Sequence, residues 1–197
     1  VAGVVAQRTL PLRSYWDRVT GQCGPEGPVP EDLARPTYGG FSSDELGAGV
    51  EYGEWIPTIE GAHGALPVCY CLPARGQGPH WVLDRPIYLA DFAAGVDPGD
   101  EPPRLALVAV DGGDSYWHER AGGEDRMAML VDEFIPWYEG RRDVGGVRVA
   151  RAVMGWSMGG YGALLTAERR PDLFGAVAAA SPALWHSYDD GVGDAFD

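Results

Sequence analysis

Val147-Arg148-Val149-Ala150-Arg151-Ala152-Val153-Met154-Gly155-Trp156-Ser157-Met158-Gly159-Gly160-Tyr161-Gly162-Ala163 is the stretch that decides the fold. Val147 to Met154 is a short apolar run closing on glycine, the pattern of a buried strand. Gly159 to Arg170 reads as a helix, with Arg169-Arg170 in its last turn and Pro171 just beyond. Between them stands Gly155-Trp156-Ser157-Met158-Gly159, of the form Gly-x-Ser-x-Gly, at the junction of strand and helix. A turn that sharp holds Ser157 in a strained backbone conformation, and side chains at 155 and 159 would clash as the two elements close. Ser157 is thereby pushed out at the C-terminal edge of a sheet, with the Met158 N–H at the start of the helix beside it. That pair is a candidate nucleophile and a candidate donor to a developing oxyanion.

Working outward, Pro67–Leu72, Leu105–Val110 and Gly175–Ala180 are further short apolar runs bounded by Gly, Pro or small residues. Val82–Gly95 and Glu124–Gly140 are helical candidates; in the second, Met127, Leu130, Val131 and Phe134 form one apolar stripe, and Pro136 breaks or kinks its last turn. Gly49–Ile59 suggests short antiparallel strands at a sheet edge. Strand and helix alternate from Pro67 onward, which predicts an α/β domain, doubly wound, with a mostly parallel sheet and helices on both faces. Val1–Gly40, rich in Pro and Gly, reads as an irregular N-terminal segment, leaving residues 41–197 as the domain.

Composition narrows the chemistry. The 29 acidic residues against 15 basic ones leave a net charge of −14 over 197 residues. Phosphate backbones and anionic membrane surfaces need a concentrated positive face, so nucleic acid is not an expected partner. All 15 basic residues are Arg, and the chain has no Lys and no Asn. Schiff-base chemistry, a Ser-Lys dyad, a Walker-type Lys and N-glycosylation are thereby excluded for these residues. Cys23, Cys69 and Cys71 are too few for a disulfide framework, and no Cys/His set has zinc spacing. No apolar run reaches the roughly 18 residues of a membrane span. Val1–Ala6 has no charged region before it, so no signal peptide is read there.

Ser157-Met158-Gly159-Gly160-Tyr161-Gly162-Ala163, then Pro171-Asp172-Leu173-Phe174, then Ala180-Ser181-Pro182, resembles an esterase family of α/β hydrolases. That family includes esterase D (S-formylglutathione hydrolase), bacterial and feruloyl esterases and mycolyltransferases. Val110-Asp111-Gly112-Gly113 and the helix containing Glu133 and Pro136 match as well. The resemblance implies an α/β-hydrolase fold, an acyl-enzyme on Ser157, no cofactor and no metal. It also implies a second oxyanion N–H on the loop Leu72–Gly78, which by position is that of Arg75, with Ala74 where the family has Gly.

In α/β hydrolases the chain order is Ser, then Asp or Glu, then His. The 40 residues after Ser157 hold His186 together with Asp189, Asp190, Asp194 and Asp197, and no His follows any of those four acids. The resemblance therefore implies a sheet lacking its C-terminal strands and a domain incomplete at its C-terminus. The acid and the His of the triad would lie beyond Asp197, and this chain by itself would be inactive or weakly active. Trp117, His118, Trp156, Trp185 and His186, together with Tyr116, fall on loops at the strand C-terminal side and are the candidate pocket for a small-molecule ester. Three readings stand at this point: a serine carboxylic-ester hydrolase, an acyltransferase of the mycolyltransferase type, and a non-catalytic binding module with a degenerate triad.

Overall fold

The computed structural model describes residues 34–59, 64–95, 103–185 and Ala195. Six strands form one sheet in the order β1-β2-β4-β3-β5-β6: β1 Thr37–Ser43, β2 Ala48–Trp55, β3 Val68–Leu72, β4 Ala106–Val110, β5 Arg151–Trp156 and β6 Ala176–Ala180. β1 and β2 are an antiparallel hairpin, turned at Gly47 with φ +58°, and β2 lies antiparallel to β4. From β4 through β3 and β5 to β6 every pairing is parallel. This is the expected α/β architecture. The first strand starts at Thr37, four residues ahead of the domain start expected from composition.

β3 and β4 are buried along their whole length, which is why they read as unbroken apolar runs rather than alternating ones. Val68, Tyr70, Leu72, Ala106, Val108 and Val110 face one core; Cys69, Cys71, Leu107 and Ala109 face another. The two cysteines thus act as small apolar residues on one face, two positions apart. Helices α1 (Pro79–Leu83) and α2 (Leu89–Ala94) cover the cysteine face. The opposite face carries α3, built of Arg126–Ala128, a π-helical stretch Met129–Phe134 and Ile135–Glu139, and α4 (Met158–Arg169). None of the described helices is long and apolar enough to cross a membrane.

Three local expectations change. The helix expected over 82–95 is two short helices separated at Arg85–Pro86, whose peptide bond is cis, because proline has no N–H with which to continue the ladder. Pro136 does not break α3: it stands in the first turn of the segment that follows the π-helical stretch, where the Ile135 N–H donates to Leu130 O across a widened turn. β5 begins at Arg151 rather than Val147; residues Arg148–Ala150 make a 3-10 turn, and Val147 and Val149 are 57% and 84% exposed.

At the N-terminal end of the parallel strands two Glu–Arg–Tyr networks tie helix α3 and its exit to the sheet. Arg142 holds Glu54 through Nη2 at 2.6 Å and Nε at 2.9 Å, and the Tyr138 hydroxyl donates to the same carboxylate at 2.5 Å. Arg151 holds Glu139 at 2.6 and 2.7 Å, joined by the Tyr70 hydroxyl at 3.0 Å and the Gly146 N–H at 2.9 Å. Burial pushes both carboxyls up, but the bonds from arginine, tyrosine and backbone outweigh it and leave Glu54 and Glu139 below the ordinary glutamate value. Burial, and the carboxylates beside them, push the Tyr138 and Tyr70 hydroxyls up, so both stay protonated donors.

Candidate active site

Ser157 sits at φ 50°, ψ −113°, exposed, at the exit of β5 and immediately ahead of α4. A β-carbon on Gly155 would lie 2.2 Å from Gly159 O, and one on Gly159 would lie 2.0 Å from Leu72 O. Both contacts are with backbone, which cannot yield, so only glycine fits at either position. The bend is held from the neighbouring strand as well: the Ser157 N–H donates to Ala180 O at 3.1 Å, and Ser157 O accepts from Ala183 N–H and from Tyr161 N–H, each at 3.0 Å. Strain of this kind costs roughly 1–3 kcal/mol and persists where its surroundings over-determine it.

Met158 is fully buried and opens α4. The first N–H groups of a helix have no intrahelical acceptor, and they gather at the residue after Ser157 with the positive end of the helix dipole. Arg75 lies on the loop after β3, in a turn where Gln77 N–H donates to Ala74 O at 3.0 Å. Its guanidinium is 3.8 Å from Asp114 and 6.0 Å from the centre of the Tyr116 ring.

The expected pocket residues divide. Trp185 belongs to an aromatic group with Tyr116, at 5.4 Å between ring centres, and Tyr161, at 6.2 Å, while Tyr116 and Tyr161 are 6.1 Å apart. Tyr161 was not among the residues expected there; its position four after Ser157, one helical turn along the same face, is the signal that marks it. Burial pushes its hydroxyl up, Arg169 acts against that and Glu168 with it. Trp117 is instead fully buried in the core under α4, so it does not line a pocket. Trp156 points to the opposite layer and packs edge-on against Trp81 of α1 at 6.1 Å. His118 turns Nδ1 to Glu119 O at 2.9 Å and Nε2 to Ala195 O. His80 is stacked on Tyr38 at 3.5 Å, with Glu51 and Asp84 each 3.5 Å from a ring nitrogen. Neither histidine is bonded to Ser157 in this arrangement. His186 lies outside the described residues.

Residues 94–196 match the family model described as "Putative esterase". No curated protein sequence matches the chain. Among solved structures, a ferulic acid esterase superposes with a TM-score of 0.63 at 22% identity, covering 76% of this chain and 60% of its own. The ferulic acid esterase of Anaeromyces mucronatus, in complex with ferulic acid, gives 0.62 at 19% identity, with coverages of 81% and 61%. An S-formylglutathione hydrolase from Agrobacterium tumefaciens gives 0.60 at 16%, with 80% and 61%. The chain therefore spans about 60% of the length of these structures. Their likeness is one of fold, and it is the fold of α/β hydrolases. With a strained serine between two obligatory glycines at the head of a helix, and with more than half of its length matched by the model, the chain belongs to this esterase family.

Proposed function

We propose that the protein carrying this chain is a serine carboxylic-ester hydrolase. The observation that carries the reading is the backbone of Ser157, held at positive φ between two positions that only glycine fits, with its side chain exposed ahead of a helix N-terminus. Ser157 Oγ attacks the ester carbonyl carbon, and the carbonyl electrons move onto oxygen, which the N–H groups of Met158 and Arg75 stabilise. Collapse of that intermediate breaks the bond to the alcohol, which leaves with a proton, and water then hydrolyses the acyl-serine.

The proton must pass from Ser157 through a base. In this reading the base is a histidine, oriented by an Asp or Glu, and both come from the longer protein after Asp197. Two facts support that assignment: the described histidines are engaged elsewhere, and the chain spans about 60% of its solved counterparts. The substrate is a small-molecule ester bound against Tyr116, Tyr161 and Trp185.

The test is fluorophosphonate labelling of the full-length protein with peptide mapping. One adduct on Ser157, absent from Ser157→Ala, is expected; a folded full-length sample that takes no label would falsify the reading. The 197-residue chain alone is expected to hydrolyse p-nitrophenyl acetate about a millionfold more slowly than the full-length protein, because Ser157 and the oxyanion donors remain without a base.

A further inference from the structure

Tyr116 and Trp117 are consecutive non-glycine residues in the left-handed region, at φ 55° and 62°. The loop that carries them is built to hold that conformation. Gly113 N–H donates to Asp111 Oδ1 at 2.8 Å, Trp117 N–H donates to the hydroxyl of the buried Ser115 at 3.2 Å, and Ser115 Oγ donates to Gly112 O at 3.4 Å. The consequence of two left-handed residues in a row is that neighbouring aromatic rings leave in different directions. Trp117 goes inward. A β-carbon on Gly112 would lie 2.3 Å from its ring, and one on Gly162, in the second turn of α4, would lie 2.2 Å from it. The indole thus fills a slot between the loop after β4 and the helix that Ser157 heads. Its Nε1–H has no acceptor among the described residues, so the ring is held by shape and not by a polar bond.

Tyr116 is half-buried at the edge of the core that holds Trp117, and side chains from three other elements meet its ring. Arg75 approaches from the loop after β3, Tyr161 from α4 and Trp185 from the loop after β6, while Tyr116 itself stands on the loop after β4. The geometry points to Trp117 as a positioning residue for the esterase site: wedged between Gly112 and Gly162, it fixes the loop so that Tyr116 stands as a substrate-contacting wall beside Ser157. This inference rests on the ester-hydrolase reading. A tryptophan held for packing alone would not need a strained backbone at two positions, since the same ring could be buried from an ordinary turn.

The experiment uses the full-length protein in five forms besides wild type: Trp117→Phe, Gly162→Ala, the double variant, Tyr116→Ala and Tyr116→Phe. A fluorophosphonate titration counts competent sites in each, and kcat and KM for p-nitrophenyl acetate are then expressed per labelled site. Gly-to-Ala in a helix interior ordinarily stabilises the helix, so Gly162→Ala isolates the contact with the ring. Expected are KM values raised about tenfold per site in Trp117→Phe, Gly162→Ala and Tyr116→Ala, with kcat lowered less than KM is raised. Tyr116→Phe, which keeps the ring, is expected to restore KM to within threefold of wild type. The double variant should lose at least the sum of its two parts, because the new methyl meets Cδ1, Cγ and Cβ of residue 117, positions that phenylalanine keeps.

If Trp117→Phe and Gly162→Ala reduce only the number of labelled sites and leave KM at the wild-type value, Trp117 is merely structural and the inference is overturned. A shift of KM in the Trp117 variants without one in Tyr116→Ala overturns it too, because the effect would not pass through Tyr116. Wild-type protein that takes no label overturns the hydrolase reading first, and the inference with it.

Discussion

The two ends of the parallel strands are built on opposite terms. At the N-terminal end the side chains are saturated: Glu54 and Glu139 each take two arginine bonds and a tyrosine hydroxyl. At the C-terminal end Tyr116, Trp117, Ser157 and Ser181 all have positive φ, on the loops that follow β4, β5 and β6. One end is tied by ion pairs and the other is bent by its backbone. The difference teaches how strain is tolerated: Ser157 is bonded through both its N–H and its carbonyl to the exit of β6, while the sheet carrying it is clamped at its other end by the Glu54–Arg142 and Glu139–Arg151 pairs.

The sharpest way to break this contrast is Ser157→Gly. Glycine adopts the strained dihedrals without cost, so the variant should gain about 1 kcal/mol in stability while esterase activity falls about a thousandfold or more, read by thermal unfolding and ester turnover together. A loss of both would mean that the bend at 157 stores no strain.

The clamped end makes the converse prediction. Arg151→Ala leaves Glu139, 9% exposed, without its cation and should cost about 3 kcal/mol in chemical denaturation. Per folded molecule, the rate of adduct formation at Ser157 should stay within about twofold of wild type. Arg142 is 41% exposed, so its pair with Glu54 is discounted for solvent, and Arg142→Ala should cost about 1 kcal/mol.

The smallest effect is the dependence on pH. Glu54 and Glu139 titrate below their ordinary value of 4.5 in the folded protein, so the unfolded state binds protons first as pH falls. Their contribution to stability is complete above about pH 4.5 and is lost as pH drops through the lowered folded values. Unfolding midpoints measured from pH 6 down to pH 3 should decline for the wild type and decline less for Arg151→Ala, in which one of the two carboxyls has lost its depressing partner.

The sequence was most legible where a local pattern coincides with a burial requirement. Val68–Leu72 and Ala106–Val110 are apolar throughout because both their faces are covered, and the expected runs match these strands within one residue at each end. The turn at Ser157 was legible for the same reason: Gly155 answers to Gly159 four residues away, and Gly159 and Ser157 answer to the strands on either side, β3 and β6. Val147 and Val149 misled, because an apolar run does not say where pairing starts; β5 begins at Arg151, where it meets Val68 of β3. The candidate pocket was legible only as a set of loops. Which ring of Tyr116-Trp117 is fully buried depends on the signs of two dihedrals and on a slot between Gly112 and Gly162, fifty positions apart in the chain.

Local chemistry thus determined the alternation of strand and helix, the parallel character of the sheet and the glycine-flanked turn that carries Ser157, since each is written in a short run of residues whose side chains meet water or do not. The order β1-β2-β4-β3-β5-β6, the two arginine clamps and the division of the aromatic residues between core and site were decided by tertiary structure alone. They depend on contacts between residues as far apart as Glu54 and Arg142, whose pairing no periodicity encodes, and on a burial energy that is settled only when all the layers pack at once.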